Sequence, residues 1–231
     1  MKKIFALLLA VALVFGLVAC GGNTTTEQGG ENGAPAASTA TVKPSTPAEI
    51  EAAQAEIRYA VGLLLDRNYV VESVAQGGQT PANTFVADGM SDLNGGNFAK
   101  NANGGAGYYS VAKEDFEANF NEAVEILKKY YTFDEATGKF TDFPKFEYSA
   151  NPTSGNLAIC AAIQDMWDDY GIEVDVDRRD WAVIQTALTA GDFTLSRLGW
   201  IADYNDPVNF LEIFVSASGN NHPHLGKSQS N

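Results

Sequence analysis

From Pro144 onward, short runs rich in β-branched and aromatic residues alternate with longer stretches of helical period, and few folds accommodate such a pattern. PKFEYS (144–149), IEVDVD (172–177) and DFTLSRLGW (192–200) read as strands. Between them, SGNLAICAAIQDMWDDY and DWAVIQTALTA have helical length, and Gly171 and Gly191 stand where a helix would close. Ile172, Val174 and Val176 alternate with acids, and Asp180 is placed to cap the second helix. Strands alternating with helices predict an α/β fold with right-handed crossovers, a mostly parallel sheet and flanking helices.

That arrangement gives a place to LGWIADYNDP, residues 198–207. LGW ends a strand, and ADYND leaves its carboxyl end, where ligands of open α/β sheets bind. Asp206 and Pro207 suit the start of a further helix, VNFLEIF, which gives Asp206 a structural task and leaves Asp203 without one. A carboxylate beside an indole suits a cation, with a charge-assisted hydrogen bond on one side and an aromatic face on the other. On spacing alone, a solvated Asp203 and a core Trp200 are the commoner arrangement.

The preceding half is helical with one long interruption. Thr46-Pro47-Ala48-Glu49 offers an N-cap, a proline at the first helical position and a capping-box glutamate, and Ile50, Ile57, Val61 and Leu64 fall on one face after it. Asp66 can cap a second helix, RNYVVESVAQ, which Gly77-Gly78 would terminate. Residues 80–109 are too long and too rich in Gly and Asn for an ordinary connection, and are either a functional surface loop or poorly ordered. Phe116, Phe120, Val124, Leu127 and Tyr131 recur at the period of an amphipathic helix, and residues 133–143 read as a turn-rich connection.

The first residues assign a compartment. Lys2 and Lys3 precede an uncharged apolar run ending in Leu17-Val18-Ala19-Cys20-Gly21, a secretory signal with a lipobox. The expected organisation is a signal peptide over 1–19, a lipidated Cys20 with a disordered linker to 47, a folded unit over 48–220 and a polar tail over 221–231. The mature chain would sit on the outer face of the cytoplasmic membrane, held by acyl chains. The linker carries no aromatic residue and one large aliphatic, Val42, so it forms no core. A net charge of −14 argues against nucleic acid as a partner. With Cys20 acylated, Cys160 is the sole remaining thiol and reads as a small buried hydrophobe.

Three blocks carry a resemblance: IRYAVGLLLDRNYVVESVAQGGQTPANTFVADGM, LAICAAIQDMWDDYGIEVDVDRRDW and, most specifically, SRLGWIADYNDPVNFLEIF. With them the chain resembles the bacterial extracellular solute-binding proteins of family 5, the oligopeptide- and dipeptide-binding lipoproteins of ABC importers. The resemblance implies a two-lobed periplasmic-binding-protein-like fold of which this chain is part of one lobe. It also implies a peptide ligand, ABC permease subunits as partners, and neither cofactor, metal nor catalytic residue. Asp203 would hold the ligand's α-ammonium, Arg197 and Trp200 would line the cavity, and backbone groups of Gly199 and Ile201 would pair with the peptide main chain. Family members are much longer, so the chain is expected to be truncated, to retain half a site and to bind peptide weakly by itself. Three other readings compete: a truncated product without function, a lipid-anchored hydrolase using Asp203 with Asp206 or His222, and metal binding through His222 and His224. The hydrolase lacks any GxSxG, HExxH or Cys/His arrangement, and the metal reading has only two imidazoles.

Overall fold

The computed structural model describes residues 41–226. The expected signal peptide, Cys20, most of the expected linker and the last five residues of the expected tail lie outside the described residues. Helix α1, Pro47–Leu63, opens as its sequence dictates: the Thr46 hydroxyl accepts from the Glu49 N–H and the Glu49 carboxylate accepts from the Thr46 N–H, both orphan donors of the first turn being satisfied. Ala60, Val61, Leu63 and Leu64 are buried, whereas Ile50 is 43% exposed and does not belong to the packed face as its spacing suggests. Just upstream, the Thr41 and Val42 N–H groups both donate to the Lys129 carbonyl. The end of the linker is therefore pinned by main-chain hydrogen bonds, which require no apolar side chain.

Asp66 caps α2, Arg67–Tyr69, which widens into a π-helical turn over Val70–Ala75. This segment stops at Gln76, in the left-handed conformation at φ 51°, one residue before the expected glycine pair. The long loop carries a short helix, α3, Phe98–Asn101, and after it α4, Phe116–Leu127, buries Ala123, Val124 and Leu127 against α1. A hairpin follows that the sequence reading takes for a plain connection: β1, Phe133–Asp134, pairs antiparallel with β2, Lys139–Phe140, and the two phenylalanine rings meet at 4.9 Å. Strands of two residues are too short to reveal an alternating pattern.

The α/β portion is built from β3, Phe146–Ala150; α5, Ser154–Asp168; β4, Val174–Arg178; α6, Trp181–Ala190; and β5, Leu195–Ser196. The three strands form a parallel sheet in the order β4-β3-β5. Beginning in the middle, stepping to one side and then crossing to the other creates a switch point between β3 and β5. Gly171 takes φ +79° where the chain leaves α5, and a side chain there would strike the Phe140 carbonyl, so only glycine fits. Asp180 occupies the position before α6, but its side chain caps nothing. Gly191 closes that helix in the left-handed conformation.

Tyr148, Ala150, Cys160, Trp167, Ile172 and Val174 join the α1/α4 residues in one hydrophobic core. Burial, reinforced by the neighbouring Cys160 thiol, pushes the Tyr148 hydroxyl up to about 12. Because tyrosine becomes charged on losing its proton, a raised value in the folded chain stabilises fully below pH ~10 and fades as pH climbs through about 12. Denaturant unfolding at a series of alkaline pH values should show a loss on the order of 2–3 kcal/mol from this residue, absent in Tyr148→Phe. An identical alkaline loss in both chains would contradict it.

Candidate functional site

The candidate residues leave the sheet at the switch point. The register pairs Tyr148 with Leu195 and Ser149 with Ser196, and the Arg197 N–H donates to the Ser149 carbonyl at 2.9 Å. There the ladder ends, because β3 runs out at Ala150 and is followed by Asn151 and Pro152. The strand expected over 192–200 is thus confined to Leu195–Ser196, and Arg197 to Trp200 form the irregular exit. From Leu198 to Ala202 no main-chain hydrogen bond is made among the described residues. The N–H and C=O groups of Gly199 and Ile201 are consequently unpaired there.

The Arg197 guanidinium lies against Gly199, 3.7 Å from where a Cβ would stand. Its charge reaches the buried Tyr148 and Cys160 beneath, favouring ionisation of both against the larger effect of burial. Trp200 is 36% exposed, and its indole N–H donates to Asn209 Oδ1 at 2.9 Å. The same oxygen accepts the Asp203 backbone N–H at 3.1 Å. The exposed Asp203 carboxylate has no hydrogen-bond or ion-pair partner among the described residues. Asp206, by contrast, accepts the Val208 N–H at 2.9 Å; it closes a turn and is not the expected helix cap, since α7 begins at Val208 with Pro207 in the cap position. Ile201 is 89% exposed, and Leu198, Tyr204 and Val208 are also exposed, so the chain on either side of Asp203 presents apolar side chains to solvent.

Helix α7, Val208–Leu211, continues as a 3-10 turn through Phe214. On its other side lies the long Gly/Asn-rich loop, which is held in place. The Ser91 N–H donates to Asn205 Oδ1 and Asn205 Nδ2 donates to Ser91 Oγ, both at 3.0 Å. Phe85 packs tilted against Phe214 at 4.8 Å and edge-to-face with Tyr108 at 5.5 Å. A cavity of about 310 Å³ between this loop and α7 is lined by Phe85, Phe98, Tyr108 and Leu211, and it includes none of Arg197, Gly199, Trp200, Ile201 or Asp203. The unpaired carboxylate and main chain mark the exit from β5 as the candidate site, since the cavity, although Thr84 and Asn103 join its mainly apolar lining, offers no charged side chain.

Two connections escape the sequence reading: the Ser91–Asn205 clamp and Asn209. The first links residues 114 apart and leaves no local trace; the second shows only as a polar residue within an otherwise apolar short helix. The expected solvated tail is also corrected at its start. Asn221 is buried, donates to the Val215 and Leu225 carbonyls and accepts the Leu225 N–H. Among the described residues no group of three His, Cys, Asp or Glu side chains is arranged to hold a metal, and His222 and His224 gather no third ligand.

Comparison with known proteins agrees with this architecture. Residues 48–222 match the family model described as bacterial extracellular solute-binding proteins, family 5 Middle. The chain is 33% identical over 169 residues to the oligopeptide-binding protein OppA of Bacillus subtilis, covering 71% of this chain and 28% of that protein. It is 28% identical over 168 residues to the periplasmic oligopeptide-binding protein OppA of Haemophilus influenzae, again covering 28% of the relative. The crystal structure of Haemophilus influenzae OppA in complex with RPPGFSPFR superposes with a TM-score of 0.58 at 27% identity, covering 74% of this chain and 31% of that one. The chain thus spans little more than a quarter of these curated relatives, as part of one lobe of an α/β binding-protein fold. Members of the family are solute-binding proteins rather than enzymes, and the chain belongs to the bacterial extracellular solute-binding proteins of family 5.

Proposed function

We propose that the chain contributes a peptide-binding face to the solute capture that feeds an ABC importer, with Asp203 receiving the ligand's α-ammonium. The observation carrying this reading is the unpartnered carboxylate of Asp203, a residue whose N–H shares the Asn209 oxygen with the Trp200 indole and which follows closely on the unpaired backbone of Gly199 and Ile201. A free peptide presents complementary groups: a cation at one end and a regular main chain of donors and acceptors. Pairing through backbone alone is indifferent to side chains, which suits a receptor of broad specificity. Arg197 and Trp200 line the same exit, and the named ligand of the Haemophilus influenzae structure is a peptide.

The Cys20 lipobox adds a second element to the proposal, an acyl anchor on the outer face of the cytoplasmic membrane. Cys20→Ser should abolish palmitate labelling and release the protein from the membrane fraction. A variant that still labels and stays membrane-bound would sink the anchor.

Because Asp203 is exposed on an open face, its ion pair with an ammonium group is worth about 0–1 kcal/mol, a preference of up to ~5-fold. Titration followed by NMR is sensitive enough to read it. Free-amine tripeptides should shift the Trp200 indole and Asp203 amide resonances at lower concentration than their N-acetylated counterparts, and Asp203→Asn should erase the difference. If acetylation makes no difference in the unsubstituted chain, Asp203 is not an ammonium site.

A further inference from the structure

Between Arg197 and Pro207 the exposed exit has few anchors, and one of them is a single buried atom. We infer that Asn209 is the positioning residue of this site, fixing the indole of Trp200 and the backbone of Asp203 relative to each other so that a ligand's ammonium meets a preformed pair; the inference rests on the peptide-binding reading above.

Asn209 is fully buried in α7, and its Oδ1 accepts from Trp200 Nε1 at 2.9 Å and from the Asp203 N–H at 3.1 Å. Both partners are obligate donors, so the carboxamide can face them only with its oxygen. Its Nδ2 then makes no hydrogen bond among the described residues. A buried amide with its donor unmet burdens the fold, and a leucine would fill similar space without that burden. The compensating contribution lies in the oxygen.

That oxygen acts where little else does. Arg197 is tied to Ser149, and from Leu198 to Ala202 no main-chain hydrogen bond is made among the described residues. Trp200 and Asp203 are three residues apart and converge on one acceptor, so removing it frees both together. Asn209's own backbone N–H donates to the Asp206 carbonyl at 3.0 Å, a bond that any substitution would keep. The α7 turn itself therefore survives loss of the side chain. A residue that holds the indole and the Asp203 main chain to a common point fixes where the carboxylate emerges without touching the ligand.

The test compares Asn209→Leu, which keeps the volume and loses the acceptor, with Asn209→Asp, which keeps an acceptor oxygen for both N–H groups. Two readings are made on the full chain. The first is hydrogen exchange at the Trp200 indole and Asp203 amide without peptide, with the β3 amides as internal control. The second is the ratio of apparent affinities for a free-amine tripeptide and its N-acetylated form. Asn209→Leu should accelerate exchange at Trp200 and Asp203 by about tenfold or more with β3 unchanged, and bring the affinity ratio to about one. Asn209→Asp should restore slow exchange and the preference. If Asn209→Leu retains the preference, or weakens both peptides equally, the positioning role is overturned. An unsubstituted chain without any free-amine preference overturns the peptide reading instead, and the site role with it.

Discussion

Strand β3 is the member on which the rest depends. It pairs with β4 over Phe146–Ala150 and with β5 through Tyr148 and Ser149, so one five-residue segment holds both crossovers in register. The same segment places Tyr148 and Ala150 in the core shared with α1, α4 and α5. The strand then ends at Ala150, and Pro152, lacking an N–H, cannot extend the ladder. This early ending is why β5 stops after Ser196 while its chain continues outward. An exit with unsatisfied main chain is thus a consequence of the sheet's register.

What happens beyond that exit is governed by hydrogen bonds of long sequence reach. Asn209 gathers Trp200 and Asp203, and Asn205 clamps the loop at Ser91, so two asparagines tie the exposed segment to α7 and to the Gly/Asn-rich loop. Each uses carboxamide groups rather than apolar contact, which leaves Ile201 and Leu198 exposed, while the exposed Tyr204 donates its hydroxyl to Glu212. Rigid polar anchoring beneath an exposed apolar rim suits a face that meets ligand in place of packing on itself.

Much of this was legible in the residues and the rest was not, for identifiable reasons. Helices α1, α4, α5 and α6 declare themselves because capping chemistry and a helical apolar period are local properties. Strand β5 was expected to run through Trp200, since DFTLSRLGW has strand composition; pairing also needs a neighbour, and β3 supplies none past Ala150. The β1/β2 hairpin is invisible at two residues per strand. Ile50 fits the helical spacing but sits in the first turn of α1 and stays exposed. At the site, the sequence separates the turn-forming Asp206 from an unoccupied Asp203, a distinction that the hydrogen bonds reproduce. The partners Asn209 and Ser91 carry no such signal, since nothing about an asparagine or a serine announces a contact made 6 or 114 residues away.

We propose that the exit of β5, and not the cavity beside Phe85, receives the ligand. Isotope-filtered NOE spectroscopy on the labelled chain with an unlabelled free-amine tripeptide locates the bound molecule directly. The account predicts contacts from the peptide's first residue to the Trp200 ring and to Ile201. Contacts confined to Phe85, Phe98 and Tyr108 would contradict it.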